Sequence, residues 1–323
     1  MTAAVAVEVA DLVKDFRQRG GGTLRAVDGI SFAVEHGEIF GFLGPNGAGK
    51  TTTLEIMEGL QIPTSGSADV LGLDSTKHSS EMKRRIGIQL QAGAYFNYLT
   101  LREILDLFGS FYPHNLAPDD LLARVGLADK AGSLIKQLSG GQQQRFSIVA
   151  SIVNDPEVVF LDEATTGLDP HARREVWDLI RGIRASGKTV VITTHYMEEA
   201  QTLCDRVAII DYGRIVELDT PEGLVRGLDA SYRIVFESRD GVDVGALSGL
   251  PGIVTAGPAR DRTGAFELSV RRPAEALRGL LRWSEDSGVE LGELQVLPAT
   301  LEDVFLSRTG RALRPGSPEE GEE

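Results

Sequence analysis

Three stretches of this chain combine residue types and spacings that suit phosphate chemistry. The first, GPNGAGKT at residues 44–51, follows the apolar run 39–43 and precedes a stretch with helical character. A glycine-rich turn between a strand and a helix brings backbone N–H groups close to a phosphate, and the helix dipole adds positive charge. Lys50 can reach the outer phosphates and Thr51 offers a hydroxyl to Mg²⁺. A glycine-rich surface turn is the simpler alternative, but the strand and the spacing favour a phosphate loop, with contacts from Gly44, Pro45, Asn46, Gly47, Ala48, Gly49, Lys50, Thr51 and Thr52.

The second stretch is LSGGQ at residues 138–142, which precedes the helical stretch 143–153. Ser139 is well placed as the N-cap of that helix. A helix start of this kind presents free N–H groups and the positive end of the dipole. The sequence therefore predicts a second anion site without a lysine of its own, built from Ser139, Gly140, Gly141 and Gln142.

The third stretch places acids at the end of an apolar strand. Residues 158–161 are apolar and are followed by Asp162 and Glu163. Ligand sites in open α/β sheets lie at the carboxyl ends of the strands, so we expect Asp162 on the Mg²⁺ side and Glu163 as general base for water, a role worth roughly 10²–10⁴ in rate. His195 directly follows the predicted core strand 188–194 at the same predicted edge, which favours a functional role over a structural one.

The elements that position these residues indicate an α/β fold. Alternating residues 5–13 and 26–34 predict an antiparallel sheet ahead of the core, and residues 86–91 predict a strand that ends on Gln91. Residues 92–153 form a more helical part, with a capping box at Thr100 and a short helix over 129–135. Tyr95, Phe96 and Tyr98 follow Gln91 in a loop and are expected to be exposed.

The pattern changes after residue 220 and predicts a second domain. Alternating strands at 232–236 and 265–270, an amphipathic helix over 273–285, a strand at 291–297 and a helix over 300–308 indicate a small α+β domain. The predicted boundaries are 1–226 for the first domain, 227–310 for the second and 311–323 for an acidic disordered tail.

Composition narrows the possible functions. The formal net charge of −14 argues against a nucleic-acid partner, which usually meets a basic face. The single Cys204 excludes an internal disulfide and is expected to be a buried or half-buried thiol without a catalytic role. No apolar run reaches the length of a membrane helix, and the N-terminus carries acids too early for a secretory signal. We therefore expect any membrane role to depend on a partner.

Together these motifs resemble the ATP-binding subunit of an ABC transporter, over nearly the whole chain. GPNGAGKT is similar to the Walker A motif, LSGGQ to the family signature, and VVFLDE at 158–163 to the Walker B strand with its glutamate. TTGLDP at 165–170 is similar to the D-loop, which contains Asp169, and His195 to the switch histidine. Residues 298–310, PATLEDVFLSRTG, resemble the tail domain of ABC-2-type exporter ATPases, in the drug-resistance branch of daunorubicin-like exporters.

Two further positions are assigned by the resemblance. Gln91 resembles the Q-loop glutamine, a choice that rests on its place at the strand end because Gln89 also lies near. Phe16 resembles the aromatic residue that stacks on the nucleotide base, although an ordinary core aromatic explains it equally well. Ala164 departs from the family, in which proline is frequent at this position, but it contacts no ligand.

The resemblance implies a P-loop NTPase core with an N-terminal antiparallel β subdomain, an inserted helical subdomain over about 92–153 and a small C-terminal α+β domain. It implies ATP and Mg²⁺ as ligands, with Mg²⁺ near Thr51, Gln91 and Asp162. It also implies a head-to-tail dimer in which each ATP lies between the phosphate loop of one subunit and the signature of the other. The second ATP-binding subunit is expected to be another copy of this chain. A different chain in that position stays open as the alternative.

The implied partner is a transmembrane permease, which would hold the chain at the cytoplasmic, inner face of the cell membrane. The chain would power export of a drug, an antibiotic or another hydrophobic or glycan-type substrate. The alternatives are a soluble ABC ATPase that does not transport and an ATP-binding regulatory scaffold. The single ATPase cassette and the absence of a long coiled-coil insertion disfavour the first, and Glu163 with His195 disfavours the second.

Overall fold

The computed structural model describes residues 4–18, 20–89, 95–238, 242–260 and 262–310. Within these ranges the chain forms two compact units, the first ending at Pro221 and the second beginning at Glu222. The boundary that the sequence predicts, after residue 226, lies one short helix further along the chain, at the end of Pro221–Arg226. Gln91 and the predicted acidic tail lie outside the described residues.

The first unit alternates strands and helices over most of its length. Its strands are β1 (Val5–Arg17), β2 (Thr23–Glu35), β3 (Ile39–Leu43), β4 (Ser65–Val70), β5 (Leu73–Asp74), β6 (Ile86–Ile88), β7 (Val158–Asp162), β8 (Thr189–Thr194), β9 (Arg206–Asp211) and β10 (Arg214–Asp219). Its helices are α1 (Lys50–Met57), α2 (Ser79–Met82), α3 (Leu101–Gly109), α4 (Pro118–Arg124), α5 (Gly140–Ser151), α6 (Pro170–Ala185) and α7 (Met197–Leu203).

An antiparallel sheet stands at the N-terminus, as predicted. Its strand order is β2-β1-β4-β5. The two long strands β1 and β2 correspond to the alternating residues 5–13 and 26–34 of the sequence. Buried and more exposed residues alternate over residues 7–10 of β1 and 30–35 of β2, which accounts for the alternating pattern there. Phe32 from β2 packs against Phe40 and Phe42 of β3, with ring centroids 5.5 and 5.1 Å apart.

The larger sheet has the order β10-β9-β3-β8-β7-β6. The strands β9, β3, β8, β7 and β6 run parallel, and β10 is antiparallel to β9. Every residue of β3 and β8 is buried, as expected of parallel strands covered on both faces. In this register Leu43 pairs with Thr194 and Asp162 with Thr193, so the carboxyl ends of β3, β7 and β8 meet at one edge.

The helical part between β6 and β7 contains α3, α4 and α5. Thr100 caps α3 through the predicted capping box with Glu103, and Ser139 caps α5 in the same way with Gln142. The predicted helix over 129–135 is wrong, because this stretch has only short 3₁₀ turns at 128–130 and 135–137. The carbonyls of Ala131 and Ser133 accept from the first N–H groups of α3 and so cannot continue a helix.

The loop after β6 was expected to expose three aromatic residues, and one of these expectations is wrong. Tyr95 is buried, and its ring centroid lies 5.5 Å from that of Phe146 and 6.1 Å from that of Phe108. Tyr95 is therefore packed between α3 and α5. Phe96 and Tyr98 are exposed, as expected.

The second unit has the order strand, helix, strand, strand, helix, strand, and it follows α8 (Pro221–Arg226). Its elements are β11 (Tyr232–Glu237), α9 (Val244–Ser248), β12 (Ile253–Pro258), β13 (Ala265–Val270), α10 (Pro273–Ser287), β14 (Leu294–Pro298) and the final α11 (Leu301–Thr309). The antiparallel sheet has the order β12-β13-β11-β14, the ferredoxin-like arrangement. Ile234, Phe236 and Leu268 of the sheet share a buried core with Leu280 of α10. The sequence pattern missed α9 and β12.

Among the helices of the described ranges, none combines the length and the apolar character needed to cross a bilayer. Cys204 is buried, as expected. A Cβ added to Gly41 of β3 would lie 2.5 Å from its Sγ, so this thiol is part of the packing between α7 and the sheet.

Candidate active site

The phosphate loop connects the end of β3 to the start of α1. Two of its glycines are required by close backbone neighbours: a Cβ on Gly44 would lie 2.2 Å from the carbonyl oxygen of Ile210, and one on Gly49 would lie 2.3 Å from that of Ala26. Gly47 and Gly49 also have φ of 76° and 99°, which side chains other than glycine rarely adopt. The loop is therefore a tight turn that leads directly into the first turn of α1.

Lys50 is held at the centre of this turn. Its side chain is 4% exposed, and Nζ donates to the carbonyl oxygens of Gly44 at 2.9 Å and Pro45 at 3.0 Å. Nζ also lies 3.7 Å from Oε1 of Glu163. Burial lowers the pKa of Lys50, while the carboxylates of Glu163 and Asp162 oppose that shift. The ammonium is thus fixed by the loop and faces the acids at the end of β7.

Asp162 connects three elements. Oγ1 of Thr51, in the first turn of α1, donates to its carboxylate at 3.1 Å, and Oγ1 of Thr193 from β8 donates to its Oδ1. A hydroxyl beside a carboxylate is the oxygen-rich donor set that Mg²⁺ prefers. In the described part of the chain, no cluster of three or more His, Cys, Asp or Glu side chains is suited to a metal ion.

Glu163 lies among positively charged and hydrogen-bonding neighbours. Its Oε1 is 3.4 Å from Nδ1 of His195, and its Oε2 accepts from Oγ1 of Thr166 at 3.1 Å. The adjacent His195 and the Lys50 ammonium, against the opposing effect of burial, lower the pKa of Glu163 to about 2. The carboxylate therefore stays ionised at neutral pH, which is the state that a general base requires.

A groove of about 640 Å³ opens over these residues. Its lining includes the phosphate loop, the acids of β7 and, from β1 and β2, Phe16, Leu24 and Ala26. Lys14 Nζ lies 5.0 Å from the centroid of the Phe16 ring. Phe16 thus belongs to the groove, as a residue that stacks on a base must, and its stacking role stays a prediction.

Gln89 lines the same groove, whereas Gln91 is not among the described residues. The strand β6 ends at Ile88, three residues earlier than the sequence pattern indicated. The buried Oε1 of Gln89 has no hydrogen-bond partner among the described residues. Gln89 therefore lines the candidate site, and the role of Gln91 stays a prediction.

The signature residues 139–142 lie apart from this groove. Ser139 accepts from the N–H of Gln142 at 3.4 Å and its own N–H donates to Gln142 Oε1 at 3.0 Å, which leaves Ser139 and Gly140 exposed at the start of α5. A Cβ on Gly141 would lie 3.0 Å from Cβ of Ala172 in α6. Within the described chain, the groove lining contains none of these four residues.

The start of α6 is capped by Asp169. Its Oδ1 accepts from the N–H groups of Ala172 at 3.0 Å and His171 at 2.9 Å, and these bonds lower the pKa of its carboxyl. The guanidinium of Arg173 lies 4.4 Å from the ring centroid of Tyr196, which in turn packs 4.1 Å from the ring of His195. This stack connects the first turn of α6 with His195, and it was not predicted from the sequence.

Comparisons with known proteins agree with this geometry. Residues 27–166 match the family model described as ABC transporter, and residues 232–300 match the C-terminal domain of ABC transporter domain-containing protein-like chains. A dimeric, post-hydrolysis ATP-binding cassette bound to ADP and Pi shares the fold, with a TM-score of 0.61 and 24% identity over 66% of this chain and 98% of that one.

Curated relatives extend over almost the whole chain. A daunorubicin resistance ATP-binding protein from Streptomyces coeruleorubidus is 37% identical over 296 residues, or 90% of this chain and 92% of the relative. Nod factor export ATP-binding protein I from Ralstonia nicotianae is 37% identical over 315 residues, or 94% of each chain. The P-loop core, its site and these relatives together show that the chain belongs to the ABC transporter family, as an ATP-hydrolysing subunit of the ABC-2 exporter type.

Proposed function

We propose that the groove binds ATP with Mg²⁺ and that Glu163 is the base of its hydrolysis. The observation that carries this proposal is the convergence on Oε1 of Glu163, which lies 3.7 Å from Nζ of Lys50 and 3.4 Å from Nδ1 of His195. Lys50 and the loop N–H groups would bind the phosphates, and Thr51 with Asp162 would hold Mg²⁺, which neutralises phosphate charge when bound.

The chemical step then follows from the residues at the end of β7 and β8. A water oxygen attacks the γ-phosphorus, the bond to the bridging oxygen of ADP breaks, and the water proton passes to the ionised Glu163. His195 lies where it can orient both Glu163 and the γ-phosphate. Two neighbouring strands therefore supply the base and the group that fixes its position.

The active unit proposed here is a head-to-tail dimer, expected to be of two copies of this chain. The exposed signature residues 139–142 present a helix start without a base or a metal ligand, while the groove around Lys50 is open to solvent. The groove supplies the base and the metal ligands, and the signature supplies an additional anion site on the open side. Joining two chains would therefore close two ATP sites, and loss of the γ-phosphate would release the two chains from each other.

A second surface fits a membrane partner. A groove of about 340 Å³ between β6 and the helical part is lined mainly by apolar side chains, among them Leu60, Tyr95, Phe108 and Phe111. Phe111 is 69% exposed and Tyr98 is 90% exposed. Exposed aromatic residues beside an apolar groove are typical of a docking site for a helix of another protein. We assign it to a transmembrane permease, which would hold the chain at the inner face of the membrane.

The transported substrate is proposed from the relatives. One bears the name of a daunorubicin resistance protein and another that of a Nod factor export protein. These names support export of a drug, an antibiotic or another hydrophobic or glycan-type compound. Since the two grooves described above are assigned to the nucleotide and to the permease, we expect the permease to select the cargo.

Mixing two inactive variants tests the shared site. Lys50→Ala removes the phosphate-loop cation and Ser139→Arg blocks the signature, so each homodimer is inactive. A mixed dimer contains one site in which both halves are intact, and ATPase activity should return when the variants are combined. The control mixes Lys50→Ala with Asp162→Asn, which damage the same half of the site and should give no rescue. Activity in the control alone, or in neither mixture despite demonstrated subunit exchange, contradicts the shared site.

A further inference from the structure

One buried hydroxyl bonds to both acidic positions of the site. Thr193 is 1% exposed within β8, a strand whose residues are all buried. Its Oγ1 donates to Oδ1 of Asp162 and accepts from the backbone N–H of Glu163 at 3.0 Å. The same N–H also lies 3.2 Å from the carbonyl oxygen of Thr193. A single side chain of the neighbouring strand thus contacts the carboxylate of one acid and the backbone of the other.

The backbone of Glu163 needs such a restraint. Its φ is 47°, in the left-handed region that residues with a side chain seldom occupy. This conformation turns the chain out of β7 and directs the Glu163 carboxylate toward Lys50 and His195. A hydrogen bond to the N–H of the same residue fixes that turn against the rigid edge of β8.

The carboxylate of Asp162 is oriented from both sides. Thr193 bonds to Oδ1, and Thr51 approaches Oδ2 at 3.1 Å and Oδ1 at 3.3 Å. A carboxylate held by one hydroxyl from β8 and one from α1 cannot rotate without losing a bond. The two bonds therefore fix the plane in which Asp162 presents its oxygen atoms.

We infer that Thr193 is a positioning residue for ATP hydrolysis, which sets Asp162 and Glu163 in a fixed relation to each other. A hydroxyl costs free energy when it is buried in a strand unless it is hydrogen bonded, and both hydrogen bonds of the Thr193 hydroxyl go to the site. The inference rests on the proposed roles of Asp162 and Glu163. It assigns to β8 a second contribution to the site, two residues before His195.

The test replaces the hydroxyl by a methyl group in Thr193→Val. We expect kcat to fall about tenfold or more, since loss of a bond to a charged group is typically of that size. The affinity for a fluorescent ATP analogue in EDTA should stay within about twofold of the unmodified protein. The gain in that affinity on adding Mg²⁺ should shrink, because Asp162 is no longer held. Thr193→Ser retains the hydroxyl and should restore both values.

Thr189→Val is the matched control. Thr189 lies on the same strand, is fully buried, and its Oγ1 accepts from the N–H of Gly37 at 3.0 Å, far from the site. Equal loss of kcat in Thr193→Val and Thr189→Val, or full activity of Thr193→Val, overturns the inference. If the valine variant does not fold, Thr193→Ala applies the same criterion. Asp162→Asn measured alongside must be inactive; if it is active, the proposed function fails instead.

Discussion

Nδ1 of His195 lies 3.4 Å from Oε1 of Glu163, across the gap between the ends of two adjacent parallel strands. The register that pairs Asp162 with Thr193 determines this contact, because each residue follows the last paired position by one or two places. The base and its neighbour are therefore positioned by the sheet, and a change in the register of β8 would separate them.

Replacing Glu163 by glutamine should stop turnover but not nucleotide binding. The amide cannot accept the proton of water, so the ATPase rate should fall by roughly 10²–10⁴. Removing a negative charge beside the γ-phosphate should also favour the ATP-bound dimer, which size-exclusion chromatography with ATP detects. Glu157→Gln, at an exposed ion pair with Arg85, is the control and should behave as the unmodified protein. A monomeric Glu163→Gln protein with normal turnover would contradict the assignment.

Glu58 should make the stability of the first unit depend on pH. It is 4% exposed at the end of α1, and burial, with the nearby charges of Asp162 and Glu55 and against the opposing charge of Lys83, raises its pKa to about 8. The pKa of Glu58 in the folded chain lies above the unfolded value of about 4.5. The contribution of Glu58 to folding stability is therefore fully present below about pH 4.5 and is lost as the pH rises through about 8.

Glu58→Gln removes that loss. Thermal unfolding should show the variant more stable than the unmodified protein at pH 8, by on the order of 2 kcal/mol, with a much smaller difference at pH 5. Glu8→Gln, at an exposed residue of β1 that is not among the charges acting on Glu58, is the control and should show little change in the difference between the two pH values. A Glu58→Gln effect that is equal at both pH values would show that Glu58 ionises normally.

Gln89 should matter for turnover more than for folding. Its Oε1 is buried in the groove without a partner among the described residues, a cost that leucine would remove. Gln89→Leu should therefore keep or raise the melting temperature while it lowers the ATPase rate about tenfold. Gln91→Leu, measured in parallel, shows which glutamine faces the γ-phosphate. Full activity of Gln89→Leu with loss in Gln91→Leu would support the resemblance-based choice instead.

Phe111→Ser should separate membrane attachment from catalysis. Phe111 lines the apolar groove beside β6 and lies outside the nucleotide groove, so the ATPase rate of the purified chain should not change. The fraction of the chain that sediments with membranes of the expressing cells should fall severalfold. Leu281→Ser, at a residue of α10 that is 52% exposed, is the control and should sediment normally. Equal sedimentation of both variants would place the permease elsewhere.

The parts of the site that the sequence predicts are those encoded by local spacing. The phosphate loop, the Ser139 cap and the strand that ends in Asp162 each depend on residues within one turn or strand. The phosphate loop and Asp162 lie at the same edge of the sheet because the carboxyl ends of neighbouring parallel strands meet there. The role of Thr193 was not predicted, because the sequence of a buried strand does not reveal which group of a neighbouring strand a hydroxyl bonds to.

The incorrect or missing sequence predictions have a common physical cause, because each of these structural features depends on contacts with residues outside its own stretch of sequence. Tyr95 was expected at the surface, but α3 and α5 close over it. Residues 129–135 lack a helix because their carbonyls bond to the start of α3. The strand β12 mixes glycine, proline and threonine without alternation, so only its pairing with β13 identifies it.

The central strands of the larger sheet come from widely separated parts of the chain, residues 39–43, 158–162 and 189–194. Parallel neighbours cannot form through local hairpins, so their assembly waits for distant segments to meet. A chain that ends before residue 189 lacks β8, the strand between β3 and β7, so the edge that brings the phosphate loop beside Asp162 and Glu163 is not yet formed. Because a ligand stabilises only the state that binds it, we expect ATP to stabilise chains in which all three strands are in place and not shorter ones.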